Sequence, residues 1–305
     1  MVASHGRHCL VETPSGERRL CHAKGKKNQT VVGDRVLWQV STDEGRIEKV
    51  LDRRNLMYRQ DEMRTKSFAA NIDQVLVLLA AEPEFSERQL SRALIAAEAE
   101  GISIAVALNK HDVQPAFDQA WARLSPYRSM GYTVMPMSLK PRAGDGHGMD
   151  TLAGWLAGKT TLVLGPSGAG KSTLVNRFVP QAQALTGEIS RALNSGKHTT
   201  TSTTWYWLDE AHSGALIDSP GFQEFGLHHI DAVDLPKWMP DLRQHLGQCK
   251  FYNCTHLHEP GCGVREHVLE TAGDLETATA SGGISQNRYQ IYQSLYEELS
   301  QPERY

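Results

Sequence analysis

The chain has 305 residues, 40% hydrophobic and 22% charged, which is enough apolar material for packed cores in two or three domains and excludes wholesale disorder. Its longest unbroken apolar run, 75–81, falls far short of the roughly 20 residues of a membrane span, and residues 1–10 hold no apolar signal core, so a soluble cytoplasmic protein with no membrane partner is expected. The net charge of −3 hides an asymmetry of the kind a nucleic-acid-contacting arm shows: residues 1–68 carry fourteen Lys and Arg against nine Asp and Glu, and the remainder eighteen against twenty-six.

In chain order, Val31-Val32-Gly33-Asp34-Arg35-Val36-Leu37-Trp38-Gln39-Val40 alternates after its Gly-Asp turn, and Arg46-Ile47-Glu48-Lys49-Val50 alternates again after Asp43-Glu44-Gly45. Short strands with a basic surplus suit a small β-barrel of the oligonucleotide-binding (OB) kind, with an SH3-like barrel as the alternative. From Asn71 the texture changes. The apolar runs 72–80 and 102–108 read as buried parallel strands, and further strands are predicted at 132–137, at 160–164 and ending at Leu216-Ile217. A helix opens between the first two at a capping box of Ser86 and Gln89 and closes at Gly101. This alternation predicts a mostly parallel sheet covered on both faces. An amphipathic stretch, 235–246, then leads to a Cys/His cluster, and Tyr289, Tyr292, Leu295 and Leu299 at helical spacing finish the chain.

The chemistry sits at the ends of the predicted strands. Asn109-Lys110-His111-Asp112 fits N-K-x-D. Guanine presents N1–H and N2–H₂ as adjacent donors that the Asp112 carboxylate can accept, and adenine has no such pair, so the motif selects GTP over ATP. Ser138-Leu139-Lys140 follows the next strand and is a candidate second guanine loop, in which a backbone N–H meets the guanine O6. Gly165-Pro166-Ser167-Gly168-Ala169-Gly170-Lys171-Ser172 matches G-x-x-x-x-G-K-[ST] in full, with Thr173 behind it in the expected helix 172–178. Its glycines let backbone N–H groups cradle phosphates, Lys171 brings a charge to the β/γ-phosphates, and the Ser172 hydroxyl is a Mg²⁺ ligand.

Gly196-Lys197-His198 then leads into a threonine-rich run, in which Thr200 is taken as the Mg²⁺-binding switch threonine with a register open by one or two residues. Asp218-Ser219-Pro220-Gly221 fits D-x-x-G, giving Asp218 to the Mg²⁺ shell and the Gly221 N–H to the γ-phosphate. The next residue is Phe222 where many GTPases carry a water-positioning Gln, and His198 is the candidate to orient the water instead. Three of the five cysteines cluster in Cys249-x₄-Cys254-x-His256-x₅-Cys262, the composition of a closed structural Zn²⁺ site; His258 is the alternative fourth ligand, and Cys9 and Cys21 read as free thiols.

The order of these motifs is unusual. A Ras-like chain runs phosphate loop, switch threonine, D-x-x-G, N-K-x-D and then the second guanine loop; here the two guanine loops come first, a circular permutation. In that order, with the cysteine spacing and the stretches Val32-Gly33-Asp34-Arg35-Val36 and Ala69-Ala70-Asn71-Ile72-Asp73, the chain resembles the bacterial RsgA (YjeQ/YloQ) GTPases of small-ribosomal-subunit biogenesis. The resemblance implies an OB-fold RNA-binding domain at 1–68, a circularly permuted α/β P-loop GTPase domain at 69–224 and a mostly helical zinc-binding domain at 225–305. It also implies a monomer that binds the small (30S) subunit and its 16S rRNA late in assembly, hydrolyses GTP to GDP under subunit stimulation and departs. His198 and Lys171, with Thr200, would be the catalytic groups, and one structural Zn²⁺ and a Mg²⁺ accompanying GTP or GDP the cofactors. A nucleic-acid-binding module regulated by nucleotide and an ATP-dependent kinase are the competing readings; N-K-x-D argues against the kinase.

Overall fold

The computed structural model describes residues 1–5, 8–23, 30–40, 44–61, 64–140, 147–182, 203–219, 226–227, 229–269 and 279–301. The N-terminal strands are β1 (Ala3–His5), β2 (His8–Glu12), β3 (Arg18–Ala23), β4 (Val36–Val40) and β5 (Gly45–Val50). A separate hairpin follows, β6 (Leu56–Asp61) and β7 (Arg64–Ala70). Next come β8 (Gln74–Ala80), α1 (Glu87–Ala99), β9 (Ser103–Asn109), α2 (Ala116–Arg123), α3 (Ser125–Ser129), β10 (Thr133–Pro136), α4 (Met149–Leu156), β11 (Thr160–Leu164), α5 (Lys171–Phe178), β12 (Thr204–Trp207) and β13 (Ala215–Asp218).

All these strands except the hairpin form one sheet in the order β10-β9-β8-β11-β13-β12-β1-β2-β3-β5-β4. β10, β9, β8, β11 and β13 are mutually parallel, and β12 returns antiparallel at their edge. Since parallel neighbours end at the same side, the loops after β8, β9, β10, β11 and β13 crowd together, as ligand sites on open α/β sheets do. β8 is buried at all seven positions, and its alternation sets the layers. Val75, Val77 and Leu79 face a core with α1 and the C-terminal region, whereas Leu76, Leu78 and Ala80 face a core with α4 and Leu174 of α5.

The N-terminal strands continue the sheet rather than standing apart from it. Ala3 of β1 pairs with Thr204 of β12, and the Trp205 N–H donates to the Val2 carbonyl at 2.9 Å. β3 and β5 are parallel and the other pairings there antiparallel. The sequence boundary drawn between residues 68 and 69 falls inside β7. Around it, Val32-Gly33-Asp34 and Ala69-Ala70-Asn71 lie side by side. The Ala70 N–H donates to the Val32 carbonyl at 2.9 Å, and Asn71, itself in the left-handed region at φ 58°, donates from Nδ2 to the Gly33 carbonyl at 2.9 Å. Gly33 is required there: φ is +89°, and a Cβ would stand 2.0 Å from the Ala70 carbonyl oxygen.

The stretch predicted as one amphipathic segment at 235–246 is three short pieces instead: a 3₁₀ turn Leu235–Trp238, a helix Pro240–Arg243 and a turn Leu246–Gln248. Pro236 and Pro240 lack the N–H a continuous helix needs. The tail is a helix, Gln286–Ser300, capped by the Ser285 hydroxyl and buried at Tyr289, Tyr292 and Leu295 as its spacing predicts. Its Arg288, 2% exposed, donates from Nε and Nη2 to Asp241 at 2.7 and 2.9 Å and from Nη1 to Ser91 of α1 at 2.6 Å. Among the described residues no helix is long and apolar enough to cross a membrane.

Candidate nucleotide and metal sites

The glycine-rich loop joins β11, flanked by β8 and β13, to the first turn of α5, where backbone N–H groups lack helical partners. Gly168 and Gly170 adopt φ of 81° and 108°. A Cβ on Gly165 would stand 2.1 Å from the Leu78 carbonyl oxygen, and one on Gly170 2.7 Å from Asn109 Nδ2. These glycines therefore serve close packing as well as turn geometry. Lys171 folds back over the loop and donates to the carbonyls of Gly165 and Pro166. Burial pushes its pKa down, partly offset by the charge of Asp218 at the end of β13; burial likewise pushes Asp218 up, and Lys171 opposes it. Ser172 is exposed, and Thr173 half-buried behind it.

Asn109 ties three loops together. It is 4% exposed, donates from Nδ2 to the Ala169 carbonyl of the glycine-rich loop at 2.9 Å, and accepts from the Leu139 N–H at 3.0 Å. The Leu139 N–H is thus engaged by Asn109 itself, and the buried Leu139 side chain lies against the glycine-rich loop, its Cδ1 3.1 Å from where a Gly170 Cβ would be. Ser138 donates from Oγ to Asp112 Oδ1 at 3.0 Å, fixing the carboxylate of an otherwise exposed Asp112. Lys110 takes φ 69° and donates from Nζ to the Glu82 carbonyl, while His111 stacks on His147 with ring centroids 4.2 Å apart.

The structure thus gathers Asn109 to Asp112, Ser138, Leu139, Gly165 to Thr173 and Asp218 at the carboxyl ends of the parallel strands. It adds the loop after β8, whose Glu82 holds Lys110 and whose Pro83 Cδ lies 3.1 Å from a Gly168 Cβ position. That loop has no motif; its place at the end of a buried strand was the available signal. His198, Thr200 and Gly221 lie outside the described residues. The threonine-rich run emerges from them at Thr203 and enters β12, where Thr204 stands in register with Asp218 on one side and Ala3 on the other.

A second site lies in the C-terminal region. The ligand atoms of Cys249, Cys254, His256 and Cys262 all lie within 4.8 Å of one another. His256 Nδ1 is 3.5 Å from Cys249 Sγ and 3.4 Å from Cys262 Sγ. Tetrahedral zinc with ordinary Zn–S and Zn–N bonds would set such pairs about 3.6 Å apart, so the cluster is compatible with one zinc ion. His256 rather than the exposed His258 belongs to it. The C-terminal helix holds this loop through hydroxyls: Tyr289 donates to the His256 carbonyl at 2.7 Å and Tyr292 to the Thr255 carbonyl at 2.6 Å. Sequence spacing marks both tyrosines as core positions and is silent on these hydrogen bonds.

Residues 50–228 match the family model described as RsgA GTPase. The chain is 64% identical over 301 residues to the small ribosomal subunit biogenesis GTPase RsgA of Variovorax paradoxus (strain S110), covering 99% of this chain and 92% of the relative. It is 50% identical over 303 residues to the protein of that name from Burkholderia pseudomallei (strain K96243), with the same coverage. Among solved structures, YjeQ from Thermotoga maritima superposes with a TM-score of 0.69 at 29% identity, covering 99% of this chain and 98% of that one. YloQ, described as a circularly permuted GTPase, superposes at 0.65 with 26% identity, covering 99% and 95%.

Proposed function

The chain belongs to the RsgA GTPase family, whose members hydrolyse GTP, and on that premise we propose that it is a cytoplasmic, monomeric GTPase that binds the small ribosomal subunit through its 16S rRNA late in assembly, is stimulated by that subunit, and dissociates after hydrolysis. The observation that carries this reading is the bridging of Asn109 to both Ala169 and Leu139, which ties together the loops assigned to phosphate and to base.

In this reading Asp112, held by Ser138, accepts the guanine N1–H and N2–H₂, and Gly165 to Thr173 wrap the phosphates with Lys171 moving from its loop carbonyls to the β/γ oxygens. Asp218, Ser172 and Thr200 would hold the Mg²⁺ that accompanies the nucleotide and supplies charge stabilisation to the departing phosphate. The exposed Ser172 hydroxyl and the buried Asp218 carboxylate are hard oxygen donors suited to that ion. Gly221 donates its N–H to the γ-phosphate, and His198 orients the attacking water in place of a Gln. The zinc ion is structural, closing the ligand loop that Tyr289 and Tyr292 of the C-terminal helix hold from outside.

The domain assignment belongs to the same proposal: an OB-fold RNA-binding domain at 1–68, the permuted GTPase domain at 69–224 and a zinc-binding domain at 225–305. Supporting the first is the order β1-β2-β3-β5-β4 with β3 and β5 parallel, the arrangement of a five-stranded Greek-key barrel.

The test is GTP turnover with and without purified small subunits, with ATP in a parallel arm. Large, GTP-selective, subunit-dependent stimulation is expected. His198→Ala should keep GTP affinity and lose about 10²-fold or more of the stimulated rate. Flat turnover with intact GTP binding would replace the proposal with a nucleotide-regulated binding module.

A further inference from the structure

The N-terminal strands carry a second set of metal-binding donors, unrelated to the cysteine cluster. His8 on β2 and His22 on β3 are register partners across the antiparallel pair, so both side chains leave the same face. Their rings meet edge to face with centroids 4.8 Å apart. Glu44, at the entrance to β5, brings its carboxylate onto His22 Nε2, and one ligand atom from each of His8, His22 and Glu44 lies within 4.8 Å of the others. The row extends in the backbone: His5 of β1 is the register partner of His8, so three adjacent strands place a histidine at the same level.

Two features separate this cluster from an ordinary surface histidine bonded to a carboxylate. First, its donors come from three chain segments fixed by one sheet, and the opposite face of those strands is a buried cluster of Cys9, Val11, Cys21 and Ile47. The donors are therefore preorganised rather than borne on a loose tail. Second, Arg46, the register partner of His22, is turned to another carboxylate and donates to Glu48 at 2.6 Å. All three donor residues are half-buried.

We propose that His8, His22 and Glu44 form a binding site for one divalent ion of the zinc class. Two imidazoles and a carboxylate match the donor preferences of zinc, cobalt, nickel and copper, and not those of magnesium or calcium. Three protein ligands leave a coordination position open to water or to a donor from a partner, unlike the closed Cys₃His set. The ion clips β2, β3 and the start of β5 together on the outer face of the N-terminal strands.

Metal-free full-length protein titrated with cobalt(II) separates the two sites spectroscopically. The first equivalent should give a thiolate-to-cobalt charge-transfer band from the cysteine cluster, and a second should add only ligand-field bands from oxygen and nitrogen donors. His8→Gln with His22→Gln should bind one equivalent, keep the charge-transfer band and melt like the parent when both are metal-free. Zinc analysis after dialysis should likewise fall from two ions per chain to one. A parent that binds a single equivalent, or a double variant that still binds two, overturns the proposal.

Discussion

Residues 1–50 meet the nucleotide-binding sheet at its edge, through the Ala3–Thr204 pairing and the hydrogen bonds around Gly33 and Asn71, whereas residues 235–301 join the core on one of its faces with their side chains. The N-terminal strands keep two small cores, one of Val2, Ala3 and Leu10, against which Trp205 of β12 packs, and another of Cys9, Val11, Cys21 and Ile47, while Val32 joins the large core. Among the described residues the C-terminal region has none: Leu235, Met239, Leu242, Val264, Tyr292 and Leu295 share one core with Val77, Leu79 and α1. Edge attachment by directional hydrogen bonds lets a unit loosen while its neighbour stays folded. Attachment through a common core makes the two stand or fall together.

The largest effect is expected from the zinc ion proposed for the C-terminal region. Chelation, or Cys254→Ser, should release the zinc and unfold the ligand loop, a contribution of order 10 kcal/mol in small zinc modules, seen as rapid proteolysis within 249–262. Next comes Arg288→Met. It strands Asp241 as a buried unpaired carboxylate and should cost about 3–5 kcal/mol as a downward shift of a single cooperative transition, most of it recovered when Asp241→Leu is added. Two separate calorimetric transitions in Arg288→Met would contradict the shared core.

Gly33→Ala tests the other attachment. Its left-handed φ and the Cβ clash with Ala70 should cost about 1–3 kcal/mol, and here an early, separate transition of the N-terminal strands is expected. A uniform shift of the whole protein would make the two attachments equivalent.

The smallest effect concerns acid. Burial opposes ionisation of Asp73, but the Thr160 N–H and Arg54 outweigh it and hold the carboxyl below the usual 3.8. A depressed carboxyl stabilises the fold above that value and loses its contribution as pH falls through the folded value. Acid unfolding of Asp73→Asn should therefore be less steep below pH 3.8 than that of the parent, by no more than about 1 kcal/mol in all. Identical acid limbs would remove Asp73 from the joint.

The parallel strands were legible because burial on both faces writes itself as an apolar run: the predicted 160–164 is β11 to the residue, and 72–80 and 102–108 overlie β8 and β9 within two residues. The Ser86 cap was legible too, its hydroxyl accepting from the Gln89 N–H. The hairpin β6–β7 was not, since Tyr58-Arg59-Gln60-Asp61 and Arg64-Thr65-Lys66-Ser67 are too polar to show a face. β12 is four residues behind a threonine run, and its pairing with β1 across 200 residues of sequence leaves no local trace. In the site, the motifs named the loops, but their joining through Asn109 depends on distances that spacing does not encode.

The Ser91–Arg288 hydrogen bond spans 197 residues of sequence, which has a consequence for how the protein is made. A nascent chain lengthening by about 5–20 residues per second leaves α1 waiting about 10–40 s for its final partner. The N-terminal strands can assemble early, though β1 waits for Thr204. The face of α1 that carries Ser91 and Arg92 waits for the last helix, and stays open to chaperones and to wrong partners until translation is nearly complete.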